Sequence, residues 1–89
     1  LITAVTIAHN GGLTEFCDTT RLVMRDLTDD EIARYVDNDE PFDCAGSYKV
    51  EQQGITLFER IDSHDHTAIV GLPMMQLGNE LRKLGVRLP

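Results

Sequence analysis

Asn10-Gly11 stands between two runs rich in β-branched residues, and no other feature restricts the start of this chain as tightly. Asn-Gly supplies the positive φ angles of a two-residue hairpin turn. Leu1 to His9 therefore reads as one strand and Leu13 to Met24 as its return, carrying Thr19, Thr20, Leu22 and Val23. The next signal is Thr28-Asp29-Asp30-Glu31, where the Thr28 hydroxyl can accept from the third helical N–H while Glu31 reaches back to the cap. A helix starts there. Ile32, Tyr35 and Val36 form its apolar stripe, and Asn38 and Pro41 predict that it stops near Val36 or Asp37.

Pro41 to Gly54 lacks periodicity and reads as a loop. Ile55 to Ile61 alternates, with Ile55, Leu57 and Ile61 on one face and Thr56, Phe58 and Arg60 on the other, as a half-buried strand does. Asp62 to His66 is a polar turn, and Thr67-Ala68-Ile69-Val70 reads as another short strand. Gly71-Leu72-Pro73 leads into a last helix with Pro73 at its first position, Met74, Leu77, Leu81 and Leu84 on one face, and Gly85 just past its end. The fold class is α/β, mixed α+β within these residues.

Eighty-nine residues suffice for one small domain, residues 1–89, and exclude a two-domain enzyme. Apolar residues at 42% and charged ones at 26% match a soluble globular protein, so disorder is not indicated. A net charge of −7 repels phosphate backbones and anionic membranes, which argues against nucleic acid and membrane as partners. Cys17 and Cys44 are too few for a disulfide framework and read as reduced, half-buried thiols of a cytoplasmic protein. Neither a membrane span nor a signal peptide is visible. The chain starts at Leu1 inside an apolar segment, as a piece of something longer would.

No constellation of residues suffices for catalysis by itself. His64-Asp65-His66 offers two imidazoles without a third ligand at a recognised spacing, so these read as solvated turn residues. Ser47 and Cys44 have no activating base nearby in sequence. Met74 and Met75 read as core or near-core residues of the last helix.

The string CAGSYKVEQQGITLFERI, from Cys44 to Ile61, is followed by twelve residues ending in VGLP, and TTRLVMRDLTDDEIARYV precedes it. Together and in this order they resemble the second half of the Maf family, the septum-formation-inhibitor-like nucleoside triphosphate pyrophosphatases. The resemblance implies a longer protein of Maf/ITPase-like fold that cleaves a nucleoside triphosphate between its α and β phosphates with a divalent cation, Mg2+ or Mn2+. It places the catalytic residues and most metal ligands in a first half outside these 89 residues, leaves no catalytic residue here, and allows a homodimer. The acidic charge agrees, because a triphosphate cradle needs Lys, Arg or oriented N–H groups.

This half is then expected to supply the base pocket. Most of the family carries Gln where this chain has Glu51, and those members resemble dTTP and UTP pyrophosphatases; Glu51 resembles the branch acting on 7-methyl-GTP. Guanine presents N1–H and the N2 amino group side by side, which two carboxylate oxygens can meet, and N7 methylation adds a positive charge that favours an anionic partner. Ser47 and Lys49 are secondary candidates for substrate binding, although Lys49 can equally pair with Glu51 on the surface. A stacking partner from these residues would be Tyr48 or Phe58. Ser63 and Thr67 depart from a Gly and an Asn common in the family. Two other readings are a dTTP/UTP pyrophosphatase in which Glu51 is incidental and a non-catalytic interaction module linked to cell division.

Overall fold

The computed structural model describes all residues, Leu1–Pro89. It is mixed α/β, with four strands and three α-helices, and it divides into two compact units, Leu1–Arg21 with Asp62–Pro89 and Leu22–Ile61. The first begins with the hairpin. Strand β1 (Ile2–His9) pairs antiparallel with β2 (Gly12–Thr19) in a register running from Ile2↔Thr19 to His9↔Gly12, so Asn10-Gly11 is the two-residue connection. The positive φ lies one residue later than the sequence predicts, at Gly12 (φ 125°). His9 Nδ1 accepts the Gly11 N–H at 3.2 Å and its Nε2 lies 3.0 Å from Thr14 Oγ1, which closes the turn from the side-chain face.

Period-2 alternation covers Thr3, Val5, Ile7 and His9 with Thr14, Phe16 and Asp18, while the opposite face stays in solvent, with Ile2 74% and Leu13 67% exposed. Cys17 lies on that outer face and is exposed, not half-buried. The return strand also stops earlier than predicted. Thr20 is fully buried: its N–H donates to Leu1 O at 2.8 Å, its carbonyl accepts from the Leu1 amino group at 2.8 Å, and its Oγ1 lies 3.2 Å from both Asp18 Oδ2 and Ser63 Oγ. The reciprocal Leu1–Thr20 pair follows Ile2↔Thr19 in register, and after it β3 (Arg21–Met24) joins a different two-stranded sheet.

The rest of this unit turns on one carboxylate. Asp65, read from sequence as a solvated turn residue, is buried. Its Oδ1 accepts from the Thr67 N–H (3.1 Å) and hydroxyl (2.5 Å), and its Oδ2 accepts from the N–H groups of Met75 (2.8 Å) and Gln76 (3.3 Å). Thr67 Oγ1 in turn accepts the Met74 N–H at 2.7 Å. Three first-turn donors of helix α3 (Met74–Lys83) are thereby satisfied from one turn. The same contacts explain why Thr67–Val70 is a single helical turn, α2, and not the predicted strand: Asp65 O takes the Ala68 N–H at 3.0 Å, and side-chain capture of the Thr67 N–H starts a helix despite the β-branched composition. Pro73 sits at the N-cap of α3, one residue before its predicted place. Met74 and Met75 are 53% and 51% exposed, outside the core the sequence assigns them.

The Thr67 hydroxyl, and after it the N–H groups of Thr67, Met75 and Gln76, hold the Asp65 carboxyl below its ordinary value of 3.8. A depressed folded value stabilises fully above the unfolded one and is lost as pH falls through the folded one. Protection of the Met75 and Gln76 amides from hydrogen exchange is therefore expected to hold at neutral pH and to decline below about pH 4. In Asp65→Asn the decline should vanish because protection is already weak at neutral pH. Equal protection in both proteins would show that something else anchors α3.

In the second unit, β3 pairs with β4 (Phe58–Asp62), and helix α1 (Asp29–Asp39) begins with the predicted capping box: Glu31 N–H to Thr28 Oγ1 at 3.2 Å and Thr28 N–H to Glu31 Oε1 at 3.1 Å. Arg25 bridges this start to the chain beyond, through Glu31 (3.1 Å) and Thr56 O (2.7 Å). The helix runs two residues past Asp37 because only Glu40, the residue before Pro41, is driven out of the α region; it takes φ 45° and donates its N–H to Val36 O. The buried side chains of α1 are Tyr35 and Asp39, while Ile32 is exposed. The predicted strand from Ile55 is a 3₁₀ turn over Gln53–Leu57 before β4 begins, held by Thr56 Oγ1 donating to Gln53 O at 2.6 Å. Leu57 is buried and Ile55 half exposed, opposite fates for residues the alternation puts on one face.

Candidate functional site

Between α1 and β4, the segment from Cys44 to Gly54 is folded by main-chain hydrogen bonds and two special backbone positions. Gly46 has φ 76°, and a Cβ there would lie 2.9 Å from the Tyr48 ring; Ser47 follows at φ 56° in the short 3₁₀ turn Ala45–Ser47. Ser47 N–H returns to Cys44 O at 3.0 Å. Tyr48 meets Phe58 edge-to-face, with centroids 5.2 Å apart and planes at 80°, so the two expected stacking candidates contact each other.

From Lys49 the chain closes on itself. Lys49 O accepts the N–H groups of Gln52 (3.1 Å) and Gly54 (3.0 Å). The closure is so tight that a Cβ on Gly54 would lie 2.3 Å from Lys49 O. Helix α1 holds the same stretch from outside: Lys49 N–H donates to Tyr35 Oη at 2.6 Å, Gln53 N–H to Asp39 Oδ2 at 3.0 Å, and Asn38 Nδ2 to Gln53 Oε1 at 3.4 Å. Burial pushes the Tyr35 phenol up, and the charge of the nearby Asp39 carboxylate adds to that rise.

Glu51 stands midway between the two held amides. Its side chain is exposed and makes no hydrogen bond within the chain, and no salt bridge joins it to Lys49. Of the sequence-predicted residues, Ser47 is exposed and Lys49 half-buried on the same loop, so all three fall within one closed segment. The Cys44 thiol is pushed up, first by burial and then by the Asp43 charge, which disfavours the thiolate. Tyr35 and Asp39 carry the loop but were invisible as such in the sequence: Tyr35 reads as an apolar-stripe residue, and Asp39 carries no motif.

A divalent cation does not fit the residues present. No three His, Cys, Asp or Glu side chains converge, and the Asp65 carboxylate in the His-Asp-His triplet is fully spent on N–H and O–H donors. No helix is long and apolar enough to cross a membrane.

The capped helix, the closed loop carrying Glu51, the strand and the Asp65-capped turn all lie within the residues that a family model matches. The chain belongs to the Maf-like protein family, whose model matches residues 1–84. It is 48% identical over 91% of its length to a 7-methyl-GTP pyrophosphatase of Bdellovibrio bacteriovorus and 53% identical over 79% to one of Aromatoleum aromaticum. A third, from Hahella chejuensis, is 44% identical over 81% of this chain. The chain spans 43%, 36% and 36% of the lengths of these relatives.

Proposed function

We propose that this chain is the C-terminal portion of a cytoplasmic pyrophosphatase that hydrolyses 7-methyl-GTP to 7-methyl-GMP and pyrophosphate, and that it supplies the base pocket. The observation that carries this reading is Glu51: an exposed carboxylate without an internal partner, at the apex of a loop whose backbone is fixed on both sides. A charged group so placed has no role in the fold, whereas two adjacent guanine N–H donors and a cationic ring would satisfy both its oxygens. The names of the relatives point to the same substrate. Lys49 and Ser47, on the same loop, flank the pocket and are assigned to substrate contact below Glu51.

The catalytic residues and the ligands of the divalent cation lie, in this reading, outside these 89 residues. The chain's own part is recognition: the loop fixes the backbone that carries Glu51 before substrate arrives, so little backbone freedom is lost on binding. The exposed apolar residues of the hairpin's outer face and of α3 are consistent with further protein covering them. The test is to assay the full-length protein against 7-methyl-GTP, GTP, dTTP and UTP. The highest kcat/KM is expected for 7-methyl-GTP, and preference for a pyrimidine nucleotide would overturn the assignment.

A further inference from the structure

The loop that carries Glu51 is attached to α1 by two contacts with matched spacing. Tyr35 and Asp39 are four residues apart and so lie on one face of the helix. The amides they receive, Lys49 and Gln53, are also four apart, and Glu51 is their midpoint. The two acceptors are neighbours on the helix, close enough for the Asp39 charge to help raise the Tyr35 phenol. The result is two holds side by side, Lys49 N–H on the phenol and Gln53 N–H on the carboxylate. Both acceptors are buried, so neither loop amide has water as an equal alternative.

We propose that Tyr35 and Asp39 are positioning residues for base selection, acting on the nucleobase through Glu51 by fixing the Lys49 and Gln53 amides on either side of it. The proposal rests on the reading of Glu51 as the base-selecting residue and adds what sets its direction. If the clamp is released, Glu51 keeps its charge but loses its aim. Binding of the correct base then weakens, while the chemistry at the phosphates is untouched.

The experiment uses the full-length protein with Tyr35→Phe, Asp39→Asn and Glu51→Gln, singly and with each clamp variant combined with Glu51→Gln. Tyr35→Phe keeps the buried ring, so the fold is retained while the hydroxyl is lost. Each clamp variant is expected to lower the ratio of kcat/KM for 7-methyl-GTP over dTTP by about 3- to 10-fold, the range one hydrogen bond supports. The loss should appear in KM for 7-methyl-GTP, with kcat for dTTP unchanged, and exchange at the Lys49 and Gln53 amides should accelerate. On a Glu51→Gln background, neither clamp variant should lower the ratio further.

A ratio at the wild-type value in both clamp variants, alongside a lowered one in Glu51→Gln, would overturn the clamp and leave the base reading standing. Loss of kcat in equal proportion for both nucleotides would also overturn it, because that is the mark of a merely structural role. An unchanged ratio in Glu51→Gln would sink the base reading itself, and this proposal with it.

Discussion

Replacing Glu51 by Gln in the full-length protein is expected to lower its preference for 7-methyl-GTP over dTTP or UTP by about tenfold or more, with no change in melting temperature. The size follows from the chemistry of the two edges. A carboxylate accepts both N1–H and N2–H of guanine, and each such charge-assisted bond contributes about 1.5–3 kcal/mol. The Gln amide keeps one acceptor and turns an NH2 group toward a guanine donor, so one bond is lost and a like pairing is created. A uracil or thymine edge, with O4 beside N3–H, suits the amide's donor and acceptor. The unchanged melt follows from the exposure of Glu51 and its lack of internal hydrogen bonds. Parallel kcat/KM measurements and a thermal melt check both halves. An unaltered preference would mean that the base is read elsewhere.

Gly54→Ala should have the opposite profile, damaging the fold first. The added methyl carbon would lie 2.3 Å from Lys49 O, 2.6 Å from Lys49 C and 2.9 Å from Lys49 N, all main-chain atoms with no rotamer to yield. Relief requires opening the Gly54 N–H to Lys49 O bond, and with it the loop that α1 holds at Lys49 and Gln53. Overpacking of this kind costs about 1–3 kcal/mol. A melt several degrees lower is expected together with loss of base preference. Gly78, with nothing within 4 Å of its Cβ position, provides the control: Gly78→Ala should melt at or slightly above wild type, since Ala is the better helix former. A Gly54→Ala protein indistinguishable from Gly78→Ala in stability and selectivity would contradict the closed-loop geometry.

Local signals in the sequence were sufficient where a few neighbouring residues decide the outcome. Asn10-Gly11 located the hairpin connection and Thr28 with Glu31 located the start of α1, because both act within four residues. They failed where a distant partner decides. The return strand gives way at the buried Thr20, whose hydroxyl meets Ser63 43 residues away, and Thr67–Val70 turns helical because a neighbouring carboxylate is drawn into a buried capping role that composition does not reveal. Glu51 was legible through resemblance alone, since an exposed Glu in a polar loop has no signature. The hold of Tyr35 and Asp39 on the loop was not legible, because main-chain donors carry no side-chain identity and the contact spans 14 residues.

That main-chain hold has an evolutionary consequence. The atoms that shape the recognition loop belong to the backbone of Lys49, Gln53 and Gly54 and to α1, whereas the atom pair assigned to the nucleobase belongs to a residue the fold does not use. Glu and Gln codons differ by a single nucleotide. If Glu51 reads the base as proposed, a lineage built on this loop can exchange one class of substrate for another in one step, without passing through an unstable ancestor, and its descendants would differ in diet while remaining superimposable in architecture.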